Sequence, residues 1–287
     1  MHLRKYLFLI FLLTYTYCTA QSGEKRYAVA ILNTPVLNTS DYESVFGGAN
    51  NNVKLDKRGL IGEMEFIAFP NTVFEILEII PKGDHDIYRI TTSDYPYTST
   101  DLYIDSRFVQ TLDSLPSERP KVMPDKKLIL EKLNSLEGYG YMWGGNYGDG
   151  IEQLVQYYKP QSEISESEKS LWSLKGVDCS GLIYEATDGS TPRNTSSLIK
   201  YGEGLDIAGK SSQEIISMLQ PLDLIVWSGH VIIVLDENTV IESTPSEGVH
   251  KSDLSSRLIS VMNERTASNE WDKFGVKKFV VRRWLAQ

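Results

Sequence analysis

The stretch Val177-Asp178-Cys179-Ser180-Gly181, running on through Leu182-Ile183-Tyr184-Glu185-Ala186-Thr187-Asp188 to Gly189, reads as a short helix with a cysteine in its first turn. Asp178 stands before an apolar run, where a short polar side chain accepts from free backbone N–H groups and starts a helix. Gly189 stops it. Free first-turn N–H groups and the helix dipole favour a thiolate, so the position predicts a depressed thiol pKa for Cys179. The sequence holds two cysteines, and the other is Cys18.

Cys18 belongs to an N-terminal segment of a different kind. Arg4 and Lys5 precede an apolar run from Tyr6 to Leu13, and Cys18-Thr19-Ala20 closes the segment. Basic flank, apolar centre and small-residue end predict a secretory signal over residues 1–20, cut near Ala20. The apolar run is shorter than the roughly 20 residues that cross a bilayer. Tyr17 before Cys18 suits a lipidation box poorly, so no stable membrane anchor is expected after cleavage. Export would leave Cys179 as a lone thiol in an oxidising compartment, where an unpaired cysteine is either a partner-seeking residue or a reactive one. The chain has 29 basic and 38 acidic residues; losing Arg4 and Lys5 leaves 27 against 38, a formal charge of −11. So acidic a protein is not expected to bind nucleic acid.

A cysteine nucleophile needs a base. Three histidines follow residue 20. His85 in Gly83-Asp-His-Asp and His250 in Glu247-Gly-Val-His-Lys read as solvated loop residues. His230 follows Ser228-Gly229 and opens the apolar strand Val231-Ile-Ile-Val-Leu, which lets its ring border a core and a cleft together. A base needs an orienting partner. The strand after His230 turns near Glu237 and returns through Thr239-Val-Ile-Glu-Ser. That turn puts Glu242 on the same face as His230 and diagonal to it, at the roughly 7–8 Å that long side chains bridge.

The first part of the chain reads as short strands: Tyr27–Leu32, Met64–Phe69, Val73–Ile80, Ile87–Ile90 and Leu102–Asp105, with turn clusters between them. Close spacing of this kind predicts a small barrel or sandwich over 24–113. Pro116, Pro120 and Pro124 mark 114–124 as a linker. Asp125 caps a helix carrying Leu128, Ile129, Leu130, Leu133 and Leu136, which opens a second domain over 125–287. Asp223–Trp227 and Lys278–Trp284 read as further strands.

Six stretches now stand in a particular order: Tyr141-Met-Trp-Gly-Gly, Asp178-Cys-Ser-Gly, Thr191-Pro-Arg-Asn-Thr, Leu219-Gln-Pro-Leu-Asp-Leu-Ile-Val-Trp, Gly229-His-Val and Ile241-Glu-Ser. In this the chain resembles the NlpC-type cell-wall cysteine peptidases, over Tyr139 to about Leu285, and within them the chlamydial type. The resemblance implies an α+β fold, a papain-like catalytic domain preceded by an SH3-like all-β barrel. It implies hydrolysis of the bond between D-glutamate and the diamino acid of peptidoglycan stem peptides, by a monomer exported to the periplasm or cell envelope, with no metal or cofactor. Cys179 would be the nucleophile, His230 the base and Glu242 the orienter. Tyr141 would line the cleft and Asp178 and Ser180 would hold the stem's N-terminal alanine, with Trp143, Ser228 and Gly229 completing the binding set. An amidase cutting the muramoyl–alanine bond and a non-catalytic wall-binding protein are the alternatives.

The chain departs from the family pattern in three ways. The third catalytic position, often histidine, is Glu242. Residues 148–175 form a longer stretch than usual, expected as a lid, a specificity wall or a solvated insertion. The barrel glutamate that meets the stem amine has Glu63 and Glu65 as candidates, while the closest register puts Asn71 or Thr72 there.

Overall fold

A computed structural model of the chain describes residues 25–47, 52–95, 97, 99–271 and 277–285. The expected signal over 1–20 lies outside the described residues. The first half contains strands β1 (Arg26–Ala30), β2 (Thr34–Leu37), β3 (Met64–Ala68), β4 (Val73–Pro81), β5 (Asp86–Thr91), β6 (Leu102–Asp105) and β7 (Val109–Leu112), with helix α1 (Tyr42–Phe46) after β2. All pair antiparallel in one sheet of order β3-β2-β6-β5-β4-β1-β7. Among the described residues β3 and β7 do not pair with each other, so the sheet is open where a closed barrel was expected. Strands β2 and β7 and helix α1 had no expectation in the sequence. β2 is Thr-Pro-Val-Leu, too short and too proline-marked to show alternation, yet all four residues are buried. His85 is not solvated either: its side chain is buried, between Asp84 and Arg107 and edge-on to Tyr158.

The helix capped by Asp125 is α2 (Lys126–Ser135), with Asp125 Oδ1 accepting from Leu128 N at 2.9 Å. Strand β8 (Asn146–Tyr147) follows, then helices α3 (Glu152–Tyr157) and α4 (Glu166–Trp172), the latter held by a Ser165/Glu168 capping box. These two helices occupy the long polar stretch. No residue of it lines the cleft at Cys179, and its charged middle is largely exposed, but its margins are anchored in the protein. Leu154, Tyr158, Trp172 and Leu174 are buried in the core of the first half. Tyr158 stacks on Tyr42 at 5.9 Å and donates to Asp105 Oδ2 at 2.6 Å. A few apolar anchors at the margins of a charged segment decide where it goes, because the hydrophobic gain lies in them alone.

After β9 (Gly176–Val177) come α5 (Cys179–Ala186), α6 (Thr195–Leu198), β10 (Glu203–Gly204), α7 (Ser212–Met218), β11 (Leu224–Trp227), β12 (His230–Val234), β13 (Thr239–Thr244), β14 (Gly248–Asp253), α8 (Leu254–Glu264), β15 (Thr266–Ala267) and β16 (Lys278–Arg283). The second sheet has order β10-β16-β11-β12-β13-β14, with β15 parallel to β16. Its central strands are apolar on both faces because both faces are covered. Leu224, Val226, Val231 and Ile233 pack with α2 and α5; Ile225, Ile232 and Val234 pack with α7 and α8.

A buried side chain of the second half meets the edge strand of the first. Asn146, fully buried, donates to the Ile67 carbonyl at 2.8 Å and accepts from Ile67 N at 2.9 Å. The edge strand β3 is thus continued by an amide from the second half, which satisfies two backbone groups of the edge.

Candidate active site

Asp178 builds the site. Its Oδ1 accepts from Ser180 N at 2.9 Å and Gly181 N at 2.7 Å, the capping geometry that starts α5 and puts Cys179 in the first turn. Its Oδ2 accepts from Gly144 N at 3.1 Å, which ties the Tyr141-Met-Trp-Gly-Gly turn to the helix. A side chain at position 181 would collide with the Gly145 carbonyl oxygen, so only glycine lets that turn sit on α5. Arg193, buried, closes the arrangement: Nη2 donates to Asp178 Oδ2 at 2.6 Å, Nη1 to Oδ1 at 3.1 Å and to the Ser180 hydroxyl. The Asp178 carboxylate is therefore filled by protein donors.

Cys179 is 8 % exposed, and its thiol donates to the Gly229 carbonyl at 3.9 Å. Burial pushes the thiol up to about 12, and the Asp178 carboxylate adds to this; Arg193 and the backbone at Val231 and Ser180 oppose it without prevailing. This corrects the expected depression. The helix start favours a thiolate, but Cys179 is buried in the core of the second half, and desolvation of the anion wins. The resting thiol is protonated at neutral pH and needs a base.

His230 opens β12, paired across the hairpin with Trp227, whose ring centroid is 5.1 Å away. The register Ile233↔Ile241 and Val234↔Val240 puts Glu242 diagonal to His230, as the spacing predicts. His230 Nε2 and Glu242 Oε2 are 2.6 Å apart. Burial alone would raise the Glu242 carboxyl, but hydrogen bonds from Arg257 and His230 outweigh it and hold it at about 2. Glu242 is then a carboxylate acceptor, so Nε2 carries the proton, and in the neutral tautomer the lone pair is on Nδ1. The sign for stability follows. A carboxyl held below its unfolded value of about 4.3 contributes stability above that pH and loses it as pH falls toward about 2. Thermal melts between those pH values should converge for the wild type and Glu242→Gln.

Cys179 opens into a cleft of about 320 Å³ built by both halves. Tyr141, Trp143, Asp178, Ser180 and Gly229 line it. Ser228 and His230 do not; Ser228 is exposed and His230 sits one residue beyond the cleft wall. Burial raises the Tyr141 hydroxyl, with Asp178 and Cys179 adding, so it stays a donor. The first half contributes Arg58, Met64, Glu65 and Tyr95. Glu65 accepts from Asn38 Nδ2 and Tyr95 OH, both at 2.8 Å. The other candidates for its place lie elsewhere: Glu63 pairs with Lys54 at 2.6 Å, Thr72 bonds Asp94, and Asn71 faces a different cavity. Arg58 pairs with Asp56 at 2.7 Å and lies 5.0 Å over the Trp143 ring. A larger cavity of about 770 Å³ at the far end of α5 is lined by no cysteine, serine, threonine or histidine.

Three residues of the site had no role in the sequence reading. Arg193 stood inside a quoted motif without an assigned partner. Asn194, at φ 74°, donates to Tyr95 OH at 2.9 Å and links the halves beside the cleft. Arg257 lies on α8, which was not foreseen although Leu254, Leu258 and Val261 carry helical spacing. His250, expected in a loop, is on β14 opposite Glu242, with Nε2 at 3.9 Å from Glu242 Oε1 and 3.2 Å from Glu247. Among the described residues no cluster of His, Cys, Asp and Glu could hold a metal ion, and no helix is long and apolar enough to cross a membrane.

No family model and no curated protein matches the sequence. Solved structures do. An NlpC/P60 family protein from Bacillus cereus ATCC 10987 is 14% identical, with 92% of this chain and 64% of that chain covered and a TM-score of 0.35. NlpC2 from Trichomonas vaginalis is 14% identical over 91% of this chain and 74% of its own, with a TM-score of 0.32. A protein of Staphylococcus aureus subsp. aureus Mu50 described as similar to lipoprotein, NLP/P60 family, is 21% identical over 50% of this chain and 42% of its own, with a TM-score of 0.29. The chain thus spans less than two thirds of the length of the first of them. Superposition this loose carries no functional argument, which rests on the residues above.

Proposed function

We propose that the chain is an exported cysteine endopeptidase that cuts the γ-D-glutamyl–diamino acid bond of free peptidoglycan stem peptides, acting as a monomer in the periplasm or cell envelope. The observation that carries this reading is a single cleft holding the Cys179 thiol from one half and the Glu65 carboxylate from the other. A stem freed from glycan begins with an alanine ammonium. Glu65, aimed by Asn38 and Tyr95, is its counter-charge, and such a charge-assisted bond contributes about 1.5–3 kcal/mol. Asp178 and Ser180, occupied by Arg193, form the wall behind it. A γ-linked glutamate keeps a free α-carboxylate, and Arg58 over Trp143 offers it a guanidinium.

The chemistry uses the resting state described above. His230 Nδ1 accepts the Cys179 proton as Sγ bonds to the γ-carbonyl carbon, and the carbonyl π pair moves to oxygen, where the Tyr141 hydroxyl meets it. The imidazolium is stabilised by Glu242. Collapse breaks the C–N bond, and the imidazolium proton leaves with the amine, giving a thioester. Water then attacks the thioester carbon and loses its proton to His230; the C–S bond breaks, and the imidazolium returns that proton to Sγ, restoring the thiol. Ser228 and Gly229 set the rim next to His230.

The test is the product mass after incubation with L-Ala-γ-D-Glu-diamino acid peptides and with intact muropeptides. L-Ala-D-Glu and a free diamino acid end support the endopeptidase. Whole stems released from muramic acid would instead make it an amidase, and unchanged substrate with measurable binding would leave a wall-binding protein.

A further inference from the structure

Glu242 has a second partner besides His230. Arg257 Nε donates to Glu242 Oε1 at 2.5 Å and Nη2 donates to Oε2 at 2.9 Å, so the guanidinium grips both oxygens in a fork. Oε2 is the oxygen that also meets His230 Nε2. Two donors on Oε2 occupy both of its lone pairs, and the fork fixes the carboxylate plane. The arginine is placed by packing: Asp253 caps α8, and Leu254, Leu258 and Val261 bury it against the sheet. Glu242 is 1 % exposed, so without Arg257 it would be a buried carboxylate with the imidazole as its main donor.

We infer that Arg257 is a positioning residue that aims Glu242 at His230 and takes up part of its charge, making the pair a relay of three. The inference rests on the reading of Cys179 as a nucleophile with His230 as its base. The other charged groups around the relay are His250 on β14, 3.9 Å from Glu242 Oε1, Glu247 beside His250, Glu264 acting on Arg257, and Asp178 next to Cys179. With Arg257 gone, the whole carboxylate charge acts on the imidazole and holds its protonated form more strongly. Activity that depends on a neutral imidazole then begins at higher pH.

The experiment compares wild type, Arg257→Gln and Arg257→Lys, each also in a His250→Gln background so that His230 is the imidazole titrating beside Glu242. Two rates are followed against pH: iodoacetamide alkylation of the Cys179 peptide, read by mass spectrometry, and hydrolysis of the stem peptide. Alkylation needs no substrate, so it reports on the relay even where the hydrolase reading fails. In Arg257→Gln the pH of half-maximal rate is expected to rise by about 1 unit in both measurements. Arg257→Lys keeps the charge and loses the fork, so its half-maximal pH stays near that of the parent while its hydrolysis plateau drops about tenfold. An unchanged half-maximal pH in folded Arg257→Gln overturns the shared charge. A wild-type hydrolysis plateau in Arg257→Lys overturns the positioning role, including in the case where Arg257→Gln does not fold.

Discussion

Arg193→Met is expected to cost about 3–5 kcal/mol of stability, the penalty for removing one partner of a buried ion pair. Asp178 would keep its charge and its N–H donors but lose the two guanidinium bonds at 2.6 and 3.1 Å, in a place only 8 % exposed. Arg193 also reaches the Gly145 carbonyl at 3.3 Å and Asn146 Oδ1 at 3.4 Å, so the loss spreads to the amide that joins the halves. Urea unfolding followed by tryptophan fluorescence measures it. Combining Arg193→Met with Asp178→Asn should recover part of the loss, because the unpaired charge is then gone. Additive losses would mean that the ion pair is not what Arg193 contributes.

His230→Ala is expected to lower kcat/KM for the stem peptide by at least about 10³-fold, since a thiol buried in the protonated form depends on a base to take its proton, the part proposed for His230. Glu242→Gln should cost roughly 100-fold less than that or than loss of the thiol, an orienter being less costly to lose than a base. The amide still accepts from Nε2 through its oxygen, but its NH₂ then faces the Arg257 fork, so a loss remains. Steady-state kinetics on the three variants checks the order. Equal losses for Glu242→Gln and His230→Ala would give Glu242 a part beyond orientation.

What the sequence made legible was local. The cap at Asp178, the helix behind Cys179, the cap at Asp125 and the hairpin that sets Glu242 diagonal to His230 all depend on spacings of a few residues. Physical rules of helix starts and period-two strands are sufficient for those. What stayed hidden depends on partners far apart in the chain. Arg193 meets Asp178 across 15 residues and Arg257 meets Glu242 across another 15, and neither arginine carries a mark that tells a buried ion pair from a surface charge. Glu65 could not be chosen over Glu63 until β3 placed it in the cleft. The raised Cys179 thiol has the same origin: the local helix start was read correctly, and the burial that outweighs it comes from packing against β11 and β12, far along the chain. In the stretch 148–175 the charged middle hid the anchors Leu154, Tyr158, Trp172 and Leu174 near its ends. The open sheet of the first half shows the limit of strand counting, since closure depends on which edges meet.

The central claim is that the Cys179 thiol performs the cleavage. The direct measurement is turnover of an L-Ala-γ-D-Glu-diamino acid peptide by wild type and Cys179→Ala at equal concentration, with both variants shown to be folded by their melting curves. The account predicts release of L-Ala-D-Glu by the wild type and none by Cys179→Ala. Cleavage of the γ-glutamyl bond that persists in Cys179→Ala would contradict it.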